Sequence, residues 1–142
     1  MSLSLGFKMI GLASMRKTLG ASKGNLNRGI RQDFNVIGEL LIGEIQKHII
    51  GARASNPPEL LGRVNSRLAQ SFGKEVKQKG GVIQLIVGTS VEYARIHEFG
   101  GRAGRGLSVT IPARPYAQPS IEAKQDEITE ILGDRLVTVW VG

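Results

Sequence analysis

The spacing of apolar residues along this chain changes period several times, and each change marks an element. Leu3, Leu5, Phe7 and Met9 alternate with Ser4, Gly6 and Lys8, the period of two that gives a short strand one apolar face. Residues 13–28 are polar, with Gly20, Ser22, Gly24 and Asn25 as breakers, and read as a loop. From Ile30 the spacing becomes three or four. Ile30, Phe34, Ile37, Leu41, Ile45 and Ile49 form the stripe of an amphipathic helix of about five turns, with Gly51 placed to cap it. Gly38 and Gly43 lie inside that helix, where each costs about 1 kcal/mol relative to alanine; close approach of another backbone would explain them. Asn56-Pro57-Pro58 then breaks the chain, because a residue before proline is pushed out of the helical region.

Leu61, Val64, Leu68 and Phe72 return to helical spacing and predict a short helix within 59–72. Residues 74–79 and 82–87 flank Gly80-Gly81, a two-residue hairpin signal. The second of these strands is nearly all apolar and is expected to be central in its sheet, and its charged partner nearer an edge. Residues 93–100 predict one or two helical turns stopped by Gly100, and residues 107–111 a strand. Between them, residues 100–106 hold four glycines and two arginines in seven positions, the composition of a flexible loop. Pro119 suits the first turn of a last helix whose buried face is Ile121, Ile128, Ile131 and Leu132, with Gly133 near its end. Val137, Val139 and Val141 alternate with Thr138 and Trp140 as a final strand. The sum is an α+β fold: a single domain over 1–142, two main helices on a mostly antiparallel sheet of four to five strands, a basic arm at 1–29 and a long glycine/arginine-rich loop.

Composition narrows the function. A chain of 142 residues fits one compact domain, and the absence of cysteine excludes disulfides, thiolate metal sites and thiol nucleophiles. No apolar run approaches the ~18 residues that span a bilayer, and Lys8 interrupts the stretch at 2–12 that would otherwise resemble a signal segment. Neither secretion nor a membrane partner is expected. The net charge of +7 is unevenly placed. Lys8, Arg16, Lys17, Lys23, Arg28 and Arg31 precede the first acid, Asp33; Arg102, Arg105 and Arg114 follow Glu98; residues 122–135 carry five acids and two bases. This asymmetry suggests head-to-tail complementarity between copies or contact with a polyanion, beside the plainer reading of a solvated basic face.

Candidate chemistry is sparse. His97-Glu98 begins like a metalloprotease motif, but Gly101 stands where the second histidine belongs, and the only other histidine is His48. Adjacent residues on a helix point about 100° apart, so His97 and Glu98 do not form a catalytic pair on regular backbone. The glycines of 100–106 lack the lysine and hydroxyl residue of a phosphate loop. No enzyme, metal or cofactor is expected. Nonspecific duplex-DNA binding through the arm and Arg102/Arg105 is the alternative class, weakened by the shortage of aromatics and of any helix-turn-helix pattern.

Residues 87–101, Val-Gly-Thr-Ser-Val-Glu-Tyr-Ala-Arg-Ile-His-Glu-Phe-Gly-Gly, followed by Ile-Pro-Ala-Arg-Pro-Tyr at 111–116, closely resemble the tail-completion and neck proteins of long-tailed bacteriophages, including the Mu-type virion morphogenesis family and related lambdoid neck proteins. Leu61-Gly62-Arg63 with Leu68 and Ser71 loosely resembles a further element of that family, with Leu61 where threonine is usual. The order of elements extends the resemblance over about residues 30–133. The resemblance implies a non-enzymatic structural protein of the virion neck, assembled in the host cytoplasm. It would form a homo-oligomeric ring, expected to be hexameric, between the tail tube or terminator and the head-side connector proteins. Its motif residues are Tyr93, Ala94, His97, Glu98, Phe99, Gly100, Pro112, Ala113, Arg114 and Pro115. Lys8, Arg16, Lys17, Arg28, Arg31, Arg102, Arg105 and Arg114 are the candidates for subunit or DNA contact. Tyr93 and Phe99 are expected to pack in the core, His97 to be a hydrogen-bonded structural residue, and Arg114 to meet a carboxylate of its own or a neighbouring chain.

Overall fold

A computed structural model describes residues 3–9, 23–50, 66–79, 82–133 and 137–141. Among these, β1 (Leu3–Met9), β2 (Gly73–Lys79), β3 (Val82–Thr89) and β6 (Val137–Val141) form one sheet in the order β2-β3-β1-β6, every neighbouring pair antiparallel. A separate two-stranded hairpin joins β4 (Gly101–Ala103) to β5 (Val109–Ile111). The helices are α1 (Lys23–Ile50), α2 (Ser66–Gln70), α3 (Ala94–Phe99) and α4 (Ala117–Leu132). The fold is α+β, with α1 packed on β2 and β3 and α4 packed on α1.

The apolar stripe of α1 is the spine of the core. Ile30, Phe34, Ile37, Leu41, Ile45 and Ile49 are each at most 1% exposed, and fully burying a side chain of this size is worth about 1.5–3 kcal/mol. Facing them, β3 alternates between buried Ile83, Leu85, Val87 and Thr89 and half-buried neighbours, the period of two expected of a strand whose two faces differ. In register, Leu5, Phe7 and Met9 of β1 pair with Val87, Leu85 and Ile83 on one side and with Val141, Val139 and Val137 on the other. β3 is central and charged β2 is an edge, as their compositions predict. From α4, Ile128 and Leu132 are buried while Ile121 and Ile131 are partly so.

Four expectations need correction. α1 begins at Lys23, seven residues before Ile30, so residues 23–29 of the arm are helical. Gly24 and Asn25 act as breakers only in a helix interior; in the first turn the backbone N–H groups have no intrahelical partner to lose. The glycines of α1 do not mark a backbone contact. A Cβ on Gly38 would come 2.7 Å from Cδ of Lys74, so the glycine clears a path for that lysine stem, and Gly43 meets nothing within 4 Å. Lys74 crosses α1 there to reach Glu39 Oε1 at 2.8 Å and the Asn35 carbonyl at 2.9 Å. The expected loop at 100–106 instead forms β4 and enters a single 3-10 turn at Arg105–Leu107. Its glycines supply positive φ, 81° at Gly104 and 70° at Gly106, which is how a chain reverses within so few residues. The fourth correction is Phe99, which is 49% exposed. Ala94 and Glu98 share the buried face of α3, and one residue further along a helix turns about 100° away from it.

The helix expected within 59–72 is found over Ser66–Gln70, with Leu68 buried; Leu61 and Val64 lie outside the described residues. So do Gly51, Asn56, the two prolines after it, and Gly80-Gly81, although Lys79 and Val82 pair in the register a two-residue turn requires.

Candidate functional site

The two motif segments, 93–100 and 111–116, are distant parts of one structural joint. Its centre is Glu98, 3% exposed. The Glu98 carboxylate accepts hydrogen bonds from three successive backbone N–H groups: Tyr116 to Oε2 at 2.7 Å, Ala117 to Oε2 at 2.9 Å, and Gln118 to Oε1 at 3.1 Å. A helix leaves its first four N–H groups without internal partners. In α4 three of the four donate to Glu98, and the fourth position is Pro119, which has no N–H. The negative charge also sits at the positive end of the helix dipole. α4 lacks a cap of its own: Tyr116 stands at the N-cap position, makes no side-chain cap bond, and no acid occupies the first turn. A carboxylate eighteen residues upstream does that work.

Backbone contacts lock the same joint. The Arg114 N–H donates to the His97 carbonyl at 2.7 Å. Gly100 has φ 72° and ψ 176°, and a Cβ there would lie 2.8 Å from the Ala113 nitrogen and 3.1 Å from the Ile111 carbonyl oxygen. Only glycine fits where these two segments of the chain cross. Tyr116, 1% exposed, donates its hydroxyl hydrogen to the Ala94 carbonyl at 2.9 Å and meets Phe72 edge-to-face at 5.8 Å. Burial, and then the charge of Glu98, push the Tyr116 hydroxyl far above its ordinary range, so it stays a neutral donor. The end of β3 is tied in through Thr89, whose hydroxyl contacts that of Ser71 and accepts from the Val91 N–H at 3.1 Å. On the other side Ser120, fully buried, lies 3.2 Å from His48 Nδ1 and links α4 to α1.

From this joint the β4–β5 hairpin projects into solvent. Arg102 and Arg105 are exposed, Leu107 is 57% and Val109 54% exposed, and Leu107 is held at a positive φ of 55°. Beside the hairpin, the Arg95 guanidinium lies 5.5 Å over the Phe99 ring. Half-buried Arg114 stands at its base. Among the described residues no carboxylate forms an ion pair with Arg114, and its buried Nε has no hydrogen-bond partner. Of the two alternatives, a carboxylate of its own or of a neighbouring chain, the first is not found there.

The sequence profile of the phage virion morphogenesis family matches residues 46–137, a stretch that contains the whole joint and the hairpin. The chain belongs to that family. The Mu-like prophage FluMu G protein 2 of Haemophilus influenzae is 55% identical over 51 residues, covering 36% of this chain and 34% of that protein. The chain thus matches about a third of that relative's length. No solved structure matches. Membership in the phage virion morphogenesis family supports a structural rather than a catalytic role, and it encloses both sequence motifs in one profile.

Within this phage virion morphogenesis chain the candidate residues divide by place. His97 and Gly100 meet Arg114 and Ala113 in the joint, Glu98 and Ala94 meet Tyr116, and Pro112 and Pro115 are exposed on either side of the 113–114 pair. Arg28 and Arg31 lie exposed on α1, and Arg31 donates to Gln78 Oε1 at 3.0 Å. The side chains of Lys8, Arg16 and Lys17 lie outside the described residues. Tyr93 packs against the core, as expected, and edge-on to His97 at 5.7 Å. His97 departs from expectation: its buried Nδ1 has no hydrogen-bond partner. Tyr116, Leu107 and Val109 were not singled out by sequence. Tyr116 closes the second motif; the other two look like ordinary strand residues until their exposure is seen.

Burial, and then the positive charge of Arg114, hold the His97 imidazole below its ordinary pKa of about 6.5. The unfolded chain consequently binds the proton more readily than the folded one, so stability rises with pH through this range. This contribution is present above about pH 6.5 and is lost as pH falls. Urea midpoints at pH 7.5 and 5.5 should show a loss on acidification that His97→Gln reduces; an equal loss in the variant would contradict the assignment.

Proposed function

We propose that this chain is a structural component of the phage neck, a tail-completion or head–tail joining protein. In this reading copies close into a ring between the tail tube or terminator and the head-side connector, hexameric as the resemblance implies. The observation that carries it is the exposed arginine-bearing hairpin on a joint braced by Glu98 and Gly100. A rigid base with a projecting apolar and cationic tip presents an interface without losing order at its root. The motifs that resemble neck proteins are the ones that build this base. In this reading the protein acts in the virion neck and is assembled in the host cytoplasm.

The test is the protein content of purified virions together with a deletion. The chain is expected in mature particles, and its deletion should leave separate heads and tails that complementation rejoins. A protein found only free in producing cells, never in purified virions, would overturn the proposal. Nonspecific duplex-DNA binding is the second reading, favoured by exposed Arg102 and Arg105. It requires an affinity that falls steeply with salt, with a log–log slope of about −0.9 per neutralised phosphate.

A further inference from the structure

Two surfaces of this chain are complementary in charge, and no ion pair joins them among the described residues. The first is the hairpin end. It carries Arg102 and Arg105 on the tip, half-buried Arg114 at the base, and exposed Phe99, Leu107 and Val109 between. Glu98, the carboxylate nearest in sequence, is consumed by the α4 cap. A buried polar atom is normally satisfied, yet Nε of Arg114 and Nδ1 of neighbouring His97 both lack a hydrogen-bond partner. The second surface is the outer side of α4, where Glu122, Asp126 and Glu130 are exposed at intervals of four. Like charges at this spacing repel. Lys124, the basic residue of that helix, pairs with Glu127 at 2.8 Å, and no ion pair to Asp126 or Glu130 occurs among the described residues.

Arg114 precedes the first turn of α4, whereas Asp126 and Glu130 lie in its second half, about 15–20 Å further along the axis at 1.5 Å per residue. We propose that the hairpin and Arg114 of one copy receive the acidic row on α4 of a second copy of this chain. The apolar residues Phe99, Leu107 and Val109 are covered in the same contact, and the exposed guanidinium groups of Arg102 and Arg105 meet the carboxylates of that row. Because the two patches are different, the contact is heterologous, each copy giving its hairpin to one neighbour and its α4 to the other. Such a contact closes into a ring or continues as a filament; the inference rests on the proposed neck assembly only for the choice of a ring.

Sedimentation equilibrium of the full chain tests the pairing with two double variants on exposed positions, Arg102→Glu with Arg105→Glu, and Asp126→Lys with Glu130→Lys. The wild-type chain is expected to associate, and each variant alone to associate about tenfold more weakly or worse. An equimolar mixture should recover wild-type association, because an acidic hairpin then faces a basic α4 and the reverse. A wild-type monomer at the highest soluble concentration, association unchanged in either variant, or a mixture no tighter than its components would each overturn the proposal. Loss of duplex-DNA binding in the hairpin variant with unchanged association would overturn it in favour of DNA. These failures leave the neck reading standing, which fails separately if purified virions lack the protein.

Discussion

Glu98→Ala is expected to destabilise the fold by about 3–5 kcal/mol, a large share of the roughly 5–15 kcal/mol that holds a domain of this size together. Three backbone N–H groups lose their acceptor at once, each unsatisfied buried donor costs about 1–3 kcal/mol, and the helix dipole loses its counter-charge. Water entering at Gln118, where the bond is only partly buried, keeps the total below the simple sum. Glu98→Gln should cost less, about 1–2 kcal/mol, because one amide oxygen can still serve Tyr116 and Ala117 while its NH2 group opposes the Gln118 N–H. Urea denaturation gives the ordering directly. A loss below about 0.5 kcal/mol for the alanine variant, the size expected of a solvated surface charge, would show that the cap is not made.

The second large effect falls on Gly100. Its backbone angles, φ 72° and ψ 176°, belong to a region almost closed to other residues, at a cost on the order of 1–3 kcal/mol. In Gly100→Ala the new Cβ would also press on the Ala113 nitrogen at 2.8 Å, a backbone atom that cannot rotate aside. About 3–4 kcal/mol in total is expected, with loss of hydrogen-exchange protection at Arg114, whose N–H bonds to His97 across this crossing. Gly106→Ala is the matched comparison. It shares a positive φ of 70° but has nothing within 4 Å, so about 1 kcal/mol is expected. Equal costs at the two positions would mean that the crossing exerts no pressure.

The frame of this fold is legible in its apolar spacing because burial itself imposes the period. All six positions read from the stripe of α1 are buried, and the alternation in β3 survives in its two unlike faces. What was not legible depends on contacts between segments far apart in sequence. Gly38 looked like a backbone crossing and serves a lysine stem; Gly100 looked like a simple helix stop and is the real crossing. Glu98 appeared as one letter of a family motif, and nothing local says that it caps a helix beginning at Ala117. The available signal was negative: α4 starts without a serine, threonine, aspartate or asparagine at its N-cap and without an acid in its first turn. Phe99 misled because aromatic residues are usually buried, whereas the five-residue separation from Ala94 already turns it off the inner face of α3. Glycine richness at 100–106 suggests a flexible loop, but in so short a segment glycine also supplies the positive φ values of a defined hairpin.

In the proposed neck assembly, the Glu98–Gly100 joint holds the β4–β5 hairpin against a neighbouring subunit. A cryo-EM reconstruction of the head–tail joint in purified particles tests it most directly. The account predicts a closed ring of this chain at the head-proximal end of the tail, with the hairpin of each copy buried against a neighbouring subunit. A joint without density for the chain, or a ring whose hairpins all face open solvent, would contradict it.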